Sequence, residues 1–208
     1  MKYLDIESWN RKQHFNHFKS LVNPSFAVTV NVDVTKAYNK AKEENCAFFV
    51  VYLHACLAAL NTIENFKYRI HDDKIAIYDV IHASATIARP DNTFGFSFVK
   101  YHKDFKIFND NFQTEKHRIL NSEDLFPPKN SDDCMYCSAL PWFSFTSHKE
   151  PVSGQKDDSI PKLAFGKTFI EHNKLKMPVA VTVNHALVDG YHLGLFFEEY
   201  QSQLDKNT

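Results

Sequence analysis

The chain has 208 residues, with 24 Lys and Arg against 25 Asp and Glu, for a formal charge of −1. That length fits one domain with a sizeable core, spanning residues 1–208, and the near-neutral charge excludes a dominant nucleic-acid or anionic-membrane surface. No apolar run approaches about 18 residues, so no segment reads as a bilayer span, and Asp5 and Glu7 interrupt the start where a signal peptide needs apolar residues; the expectation is a cytoplasmic protein.

In chain order, Ser8 ahead of Trp9–Phe18 predicts a capped first helix. Phe26 to Val34 alternates, with Phe26, Val28, Val30, Val32 and Val34 on one side, which predicts a half-buried strand. A polar helix is expected over Thr35–Asn45 and a mostly apolar, central one over Phe48–Asn61. Strands are expected over Lys74–Ala88 and Thr93–Tyr101, and an amphipathic helix over Lys103–Asn121 carrying Phe105, Phe108, Phe112 and Ile119. Pro127 to Asp133 reads as a loop and His148–Ser159 as a polar connection. Strands follow at Cys134–Leu140, Lys162–Glu171 and Leu175–Asn184. Leu193, Phe196, Phe197, Tyr200 and Leu204 form one apolar face of a last helix. Without strict βαβ alternation, the pattern favours α+β with a mixed, mainly antiparallel sheet.

Phe accounts for 19 residues, so the core or a cavity is aromatic-rich. The five glycines form no dinucleotide fingerprint. Gly166-Lys167-Thr168 looks like the end of a phosphate loop, but Pro161 stands where the required glycine would be. Cys134 and Cys137 have metal-knuckle spacing without a second pair, and reduced core cysteines on a strand are the better reading; no metal is expected.

The sharpest signal is His185-Ala186-Leu187-Val188-Asp189-Gly190, directly after the strand ending at Asn184. One reading is a histidine ending a strand, with Asp-Gly turning into the final helix. The other is catalytic. An imidazole held at a strand end, with an ordinary pKa of about 6.5, is a base at cellular pH and can take a proton from an attacking hydroxyl or thiol. Asp189 would order the turn, ideally against one of four arginines: Arg11, Arg69, Arg89 or Arg118.

At these residues the chain resembles the chloramphenicol acetyltransferases. Trp9-Asn10-Arg11-Lys12-Gln13-His14-Phe15 is similar to the family's Trp-x-Arg-Arg-Glu-His-Phe. Pro141-Trp142-Phe143-Ser144-Phe145-Thr146-Ser147 is similar to Pro-Trp-Val-x-Phe-x-Ser, and Asn184 to His192 to His-His-Ala-Val-Cys-Asp-Gly-Phe-His. Dihydrolipoyl acyltransferase cores share only the last motif. The resemblance implies a two-layer α/β sandwich, and a homotrimer with sites between subunits. It implies His185 as general base toward the hydroxyl of a small acceptor, and acetyl-CoA as co-substrate rather than a bound cofactor. It further implies Ser147 as oxyanion donor and Asp189 paired with Arg11. Lys167 and Thr168 would border the coenzyme, and His17, Phe18 and Phe26 the acceptor. Taken singly, Ser147 is an ordinary turn serine and Arg11 a solvated cation.

Several positions depart from the family pattern. Ala164-Phe165-Gly166-Lys167-Thr168 replaces Thr-Met-Ala-Lys-Tyr, so a threonine near the transition state and an aromatic near the coenzyme are missing. Arg89-Pro90-Asp91-Asn92 replaces His-Gln-Glu-Thr, and Asn184 replaces the first histidine of the pair. Catalytic atoms persist while the acceptor side is rewritten, so the acceptor is chloramphenicol or another hydroxyl compound. Two further readings are a non-catalytic binding trimer on the same scaffold and a hydrolase with Ser147 as nucleophile.

Overall fold

The computed structural model describes residues 1–129, 131–151 and 158–206. Asn130 and residues 152–157, within the two loops expected from sequence, lie outside the described residues. A short strand β1 (Lys2–Tyr3) precedes α1 (Lys12–Lys19), β2 (Ser25–Asp33), α2 (Thr35–Glu43) and α3 (Phe48–Thr62). A single 3-10 turn leads into the hairpin β3 (Tyr68–His71) and β4 (Lys74–Ile77), followed by β5 (His82–Ala88), β6 (Phe94–Phe96) and α4 (Phe105–Leu120). Then come β7 (Cys134–Leu140), β8 (Lys162–Gly166), β9 (Phe169–Glu171), β10 (Lys174–Asn184) and α5 (Gly190–Asp205).

The main sheet has the order β2-β10-β8-β7-β5-β6, with β9 alongside β10. β7 is parallel to β5 and β8, and the remaining pairs are antiparallel, so the sheet is mixed as expected. β1, β4 and β3 form a separate small antiparallel sheet. β10 is an interior strand flanked by β2 and β8, and its residues from Met177 to Asn184 are buried without alternation. Its odd positions, Val179, Val181 and Val183, join Leu163 and Phe165 of β8 in the core beneath α3 and α5. Tyr52 of α3 meets the Phe165 ring, and Tyr200 of α5 donates to the Tyr52 carbonyl. α3 is mostly apolar because most of it is covered by other elements, with Val50, Leu53, Leu57 and Leu60 inaccessible and His54, Ala58 and Asn61 only half-buried.

Several boundaries differ from the sequence reading. Ser8 bonds Asp5 rather than capping a helix, and α1 starts only at Lys12, with Arg11 at its cap position. The strand expected over Lys74–Ala88 is two strands in two different sheets, and Thr93–Tyr101 contains only the three residues of β6 plus a bridge from Val99 to Ala83. Lys162–Glu171 breaks at Lys167 and Thr168 into β8 and β9. Alternation on β2 is only partly realised: Val32 and Val34 are buried but Val28 is exposed, because β2 is an edge of the sheet.

Arg69 joins the two sheets. Fully buried, its guanidinium donates to the carbonyls of Phe66, Tyr68, Asp132 and Cys134, and burial pulls its pKa down to about 10. These carbonyls take the place of a carboxylate partner for the charge.

Candidate active site

The end of β10 and the turn after it build the site. His185 hydrogen-bonds through its main-chain N–H to the Pro24 carbonyl at 2.9 Å, which fixes the residue just beyond the strand. Its ring stacks on Phe18 of α1, with centroids 3.9 Å apart and planes 7° apart, and leans on Phe26 of β2 at 4.5 Å. His17 meets only the edge of Phe18, at 5.0 Å, and is itself exposed. Nδ1 of His185 is buried without a hydrogen-bond partner; Nε2, also without a partner among the described residues, keeps contact with solvent. Nε2 is therefore the nitrogen available to an incoming proton.

The turn is held from both sides. Arg11 Nη1 pairs with Asp189 Oδ2, and Asp189 Oδ1 caps α5 by accepting from the N–H groups of Tyr191 and His192. His192 closes a capping box: its Nδ1 accepts the Asp189 N–H at 3.2 Å. That nitrogen also lies 2.8 Å from Asp189 Oδ1, so a protonated ring would exchange the cap for an ion pair. Burial lowers the His192 pKa and so works against that exchange, outweighing the pull of Asp189. Burial also resists ionisation of Asp189, but the nearby His192 and Arg11 outweigh it and hold its carboxyl below the ordinary range. Arg11, whose guanidinium stays protonated, is the permanent cation at this turn.

Three contributors have no role assigned from the sequence: Asn184 and His192 stand only as motif positions, and Asn65 stands in no motif. Asn184, 4% exposed, accepts the Ala186 N–H through Oδ1 and donates through Nδ2 to the Asp158 carbonyl. Its own carbonyl accepts from Leu187 and Val188. Asn65 donates to the Leu187 carbonyl from the 3-10 turn. His192 completes the cap described above. The motif's Asp-x-x-His spacing could have revealed His192; nothing local to Asn65 could.

The remaining expected site residues lie elsewhere in the chain. Gly166 packs against Pro178, and His185 is seven residues further along β10, roughly 23 Å at strand rise. Lys167 and Thr168 sit at that far end, where the Lys167 N–H bonds the Phe143 carbonyl and Phe145 covers Gly166. Ser147 follows on this segment, exposed, with no described contact to His185. Ala164 is buried in β8 between Ala180 and Ser138.

On the sheet face opposite α3 and α5 lies a cavity of about 350 Å³. Ser84, Thr86, Tyr136, Ser138 and Lys162 form its floor, and Phe96, Phe126 and Glu150 part of its wall. Among the described residues no group of three or more His, Cys, Asp or Glu is placed to hold a metal ion, and no helix is long and apolar enough to cross a membrane. Cys56, Cys134 and Cys137 are buried free thiols and Cys46 is a half-buried one.

The fold is that of the CoA-dependent acyltransferases. A probable dihydrolipoamide acetyltransferase from Listeria monocytogenes superposes with a TM-score of 0.69 at 16% identity, over 95% of this chain and 92% of that one. A solved chloramphenicol acetyltransferase superposes more closely, with a TM-score of 0.88 at 30% identity over 98% and 99% of the two chains. The chloramphenicol acetyltransferase of Bacillus pumilus is 30% identical over 194 residues, 92% of this chain and 88% of that protein. The family model for chloramphenicol acetyltransferase matches residues 1–201, and the chain belongs to that family, one of acyltransferases.

Proposed function

We propose that residues 1–208 form one acetyltransferase domain in which His185 activates an acceptor hydroxyl for direct attack on the thioester of acetyl-CoA. Nε2 takes the hydroxyl proton as the oxygen bonds the acetyl carbon. The tetrahedral intermediate then expels the coenzyme sulfur, which recovers that proton from His185, leaving an acetyl ester and free CoA. The observation that carries this reading is the imidazole clamped between Phe18 and Phe26 with Nε2 open, on a turn fixed by Arg11 and Asp189. General-base catalysis of this kind contributes roughly 10²–10⁴-fold.

Ser147 is assigned as the oxyanion donor, a role worth roughly 10²–10³-fold. Lys167 and Thr168 are assigned to the coenzyme, and His17, Phe18 and Phe26 to the acceptor. The separation of His185 from the segment bearing Ser147 and Lys167 supports a homotrimer in which one protomer's base completes its neighbour's site. In that arrangement the cavity above Tyr136 and Lys162 is the acceptor pocket. Chloramphenicol or a related small alcohol is the acceptor class, and the protein acts in the cytoplasm. Ala164, in place of threonine, removes a hydroxyl from β8 and favours a slower enzyme.

The test is thiol release from acetyl-CoA with chloramphenicol and a panel of alcohols, for wild type and His185→Ala. Acceptor-dependent turnover that falls at least about 100-fold in the variant is expected. Tight CoA binding without turnover by any acceptor would leave a binding trimer instead. A covalent acyl-enzyme on Ser147, seen by mass spectrometry, would replace direct transfer with a serine mechanism. Sedimentation equilibrium checks the trimer.

A further inference from the structure

Among the described residues, the charges that line the 350 Å³ cavity do not balance. Lys162 Nζ lies 2.5 Å from Asp158 Oδ2, and both side chains are largely buried, so that cation is already neutralised. Glu150 also lines the cavity, with its side chain 17% exposed. Its one ionic neighbour among the described residues is His148 Nδ1 at 3.5 Å, which makes no hydrogen bond. Among the described residues, one carboxylate is therefore in excess in a partly desolvated wall. A carboxylate so placed is stabilised by a cation and gains little from a neutral ligand.

The uncharged lining adds two further constraints. The Ser84 and Tyr136 hydroxyls face the cavity without hydrogen-bond partners among the described residues, and so can bond a polar ligand. Phe96 and Phe126 stack with centroids 5.4 Å apart and both line the wall, presenting aromatic surface to a ring. The aromatic wall, the hydroxyl floor and the excess carboxylate lie in one cavity of drug-like size.

We infer that this pocket selects an aryl alcohol carrying a protonated amine, with Glu150 as the residue that reads the positive charge. The inference rests on the acetyltransferase reading above, and on the cavity being that enzyme's acceptor site. Lys162 acts as a positioning residue: it holds Asp158, whose main-chain carbonyl accepts from Asn184 beside the catalytic turn. The pocket and the turn that carries His185 are thereby linked within one protomer.

The experiment uses the intact protein and two probes of nearly equal shape. One is a benzylic alcohol bearing a dimethylaminomethyl group, whose tertiary amine yields no stable amide. The other is the neutral alcohol in which isobutyl replaces that group. Wild type is expected to show kcat/KM at least tenfold higher for the charged probe, and Glu150→Gln to reduce that ratio at least tenfold, chiefly through KM. Equal or inverted preference in wild type would overturn the inference, as would a ratio unmoved in a folded Glu150→Gln. If neither probe nor any other alcohol is turned over, the acetyltransferase reading has failed. Binding of the two probes by calorimetry without acetyl-CoA then decides the pocket's preference: tighter charged-probe binding that weakens in Glu150→Gln upholds it, and equal binding overturns it. Should Glu150→Gln fail to fold, the wild-type ratio of the two probes still upholds or overturns the preference for a cation.

Discussion

Phe18 and His185 lie face to face, 3.9 Å apart and within 7° of parallel, although they come from opposite ends of the chain. The contact confines the imidazole to one plane, with Nδ1 buried and Nε2 left toward solvent. Pre-set geometry of this kind removes an entropic part of a reaction barrier. Phe18→Ala is therefore expected to lower kcat about tenfold or more while the KM for acetyl-CoA changes little. Steady-state kinetics with both substrates varied provides the check.

Asp189 has two separable duties, the ion pair with Arg11 and the cap on α5. Asp189→Asn keeps a capping oxygen but leaves the partly buried Arg11 guanidinium without its counter-charge. Its expected cost is about 1.5–3 kcal/mol, the range for hydrogen bonds to charged groups. Asp189→Ala should cost about 0.5–2 kcal/mol more, from loss of the cap. Urea unfolding of the two variants and of Arg11→Met separates the contributions. If Asn and Ala prove equally destabilising, the cap carries no weight.

Gly166 is a packing residue. A β-carbon there would sit 2.6 Å from Pro178 Cγ and 2.8 Å from Phe145 Cε1. The proline is held in β10, inside the sheet, so the Phe145 segment must move, carrying Ser147 with it. Gly166→Ala is expected to cost about 1–3 kcal/mol in stability from overpacking. It should lower kcat more than a simple loss of stability predicts, as rates at a temperature well below Tm would reveal.

His82 gives the fold a dependence on mild acid. Burial pushes its imidazole below the ordinary value of 6.5, and its Nδ1 accepts the Tyr101 N–H at 2.9 Å, a bond that protonation of that nitrogen removes. Because the folded pKa is below the unfolded one, the unfolded chain binds more protons between the two. The contribution is full above pH 6.5 and is lost as pH falls from there toward the folded value. Urea midpoints between about pH 7.5 and about 5 should therefore decline, and decline less steeply in His82→Gln. Parallel slopes would assign the effect to His54 and His192, which burial lowers in the same sense.

Much of the element order is legible in the linear pattern because it rests on short-range periodicity. Phe48–Thr62 and Gly190–Asp205 carry apolar residues at helical spacing, and Leu193, Phe196, Tyr200 and Leu204 are buried as that spacing requires. Strand ends are less legible. Lys74 to Ala88 reads as one apolar run, yet its halves belong to different sheets: β4 pairs with β1 and β3, and β5 with β6 and the sequence-distant β7. Val28 fits an alternating strand but is exposed, since burial of a sheet edge depends on what lies next to it.

The same division holds for the site. His185, Asp189 and Arg11 are readable as residue types in motifs, because a strand, a turn and a cap are local events. Their pairing, the Phe18 and Phe26 clamp and the clip made by Asn184 and Asn65 depend on side chains far apart in sequence that meet only after the sheet has assembled. The distance between His185 and Lys167 and the unbalanced carboxylate of Glu150 also belong to the tertiary structure. Local patterns state which groups a chain carries; only the packed fold sets which of them share a dielectric environment, and therefore which charges are compensated and which remain to meet a ligand.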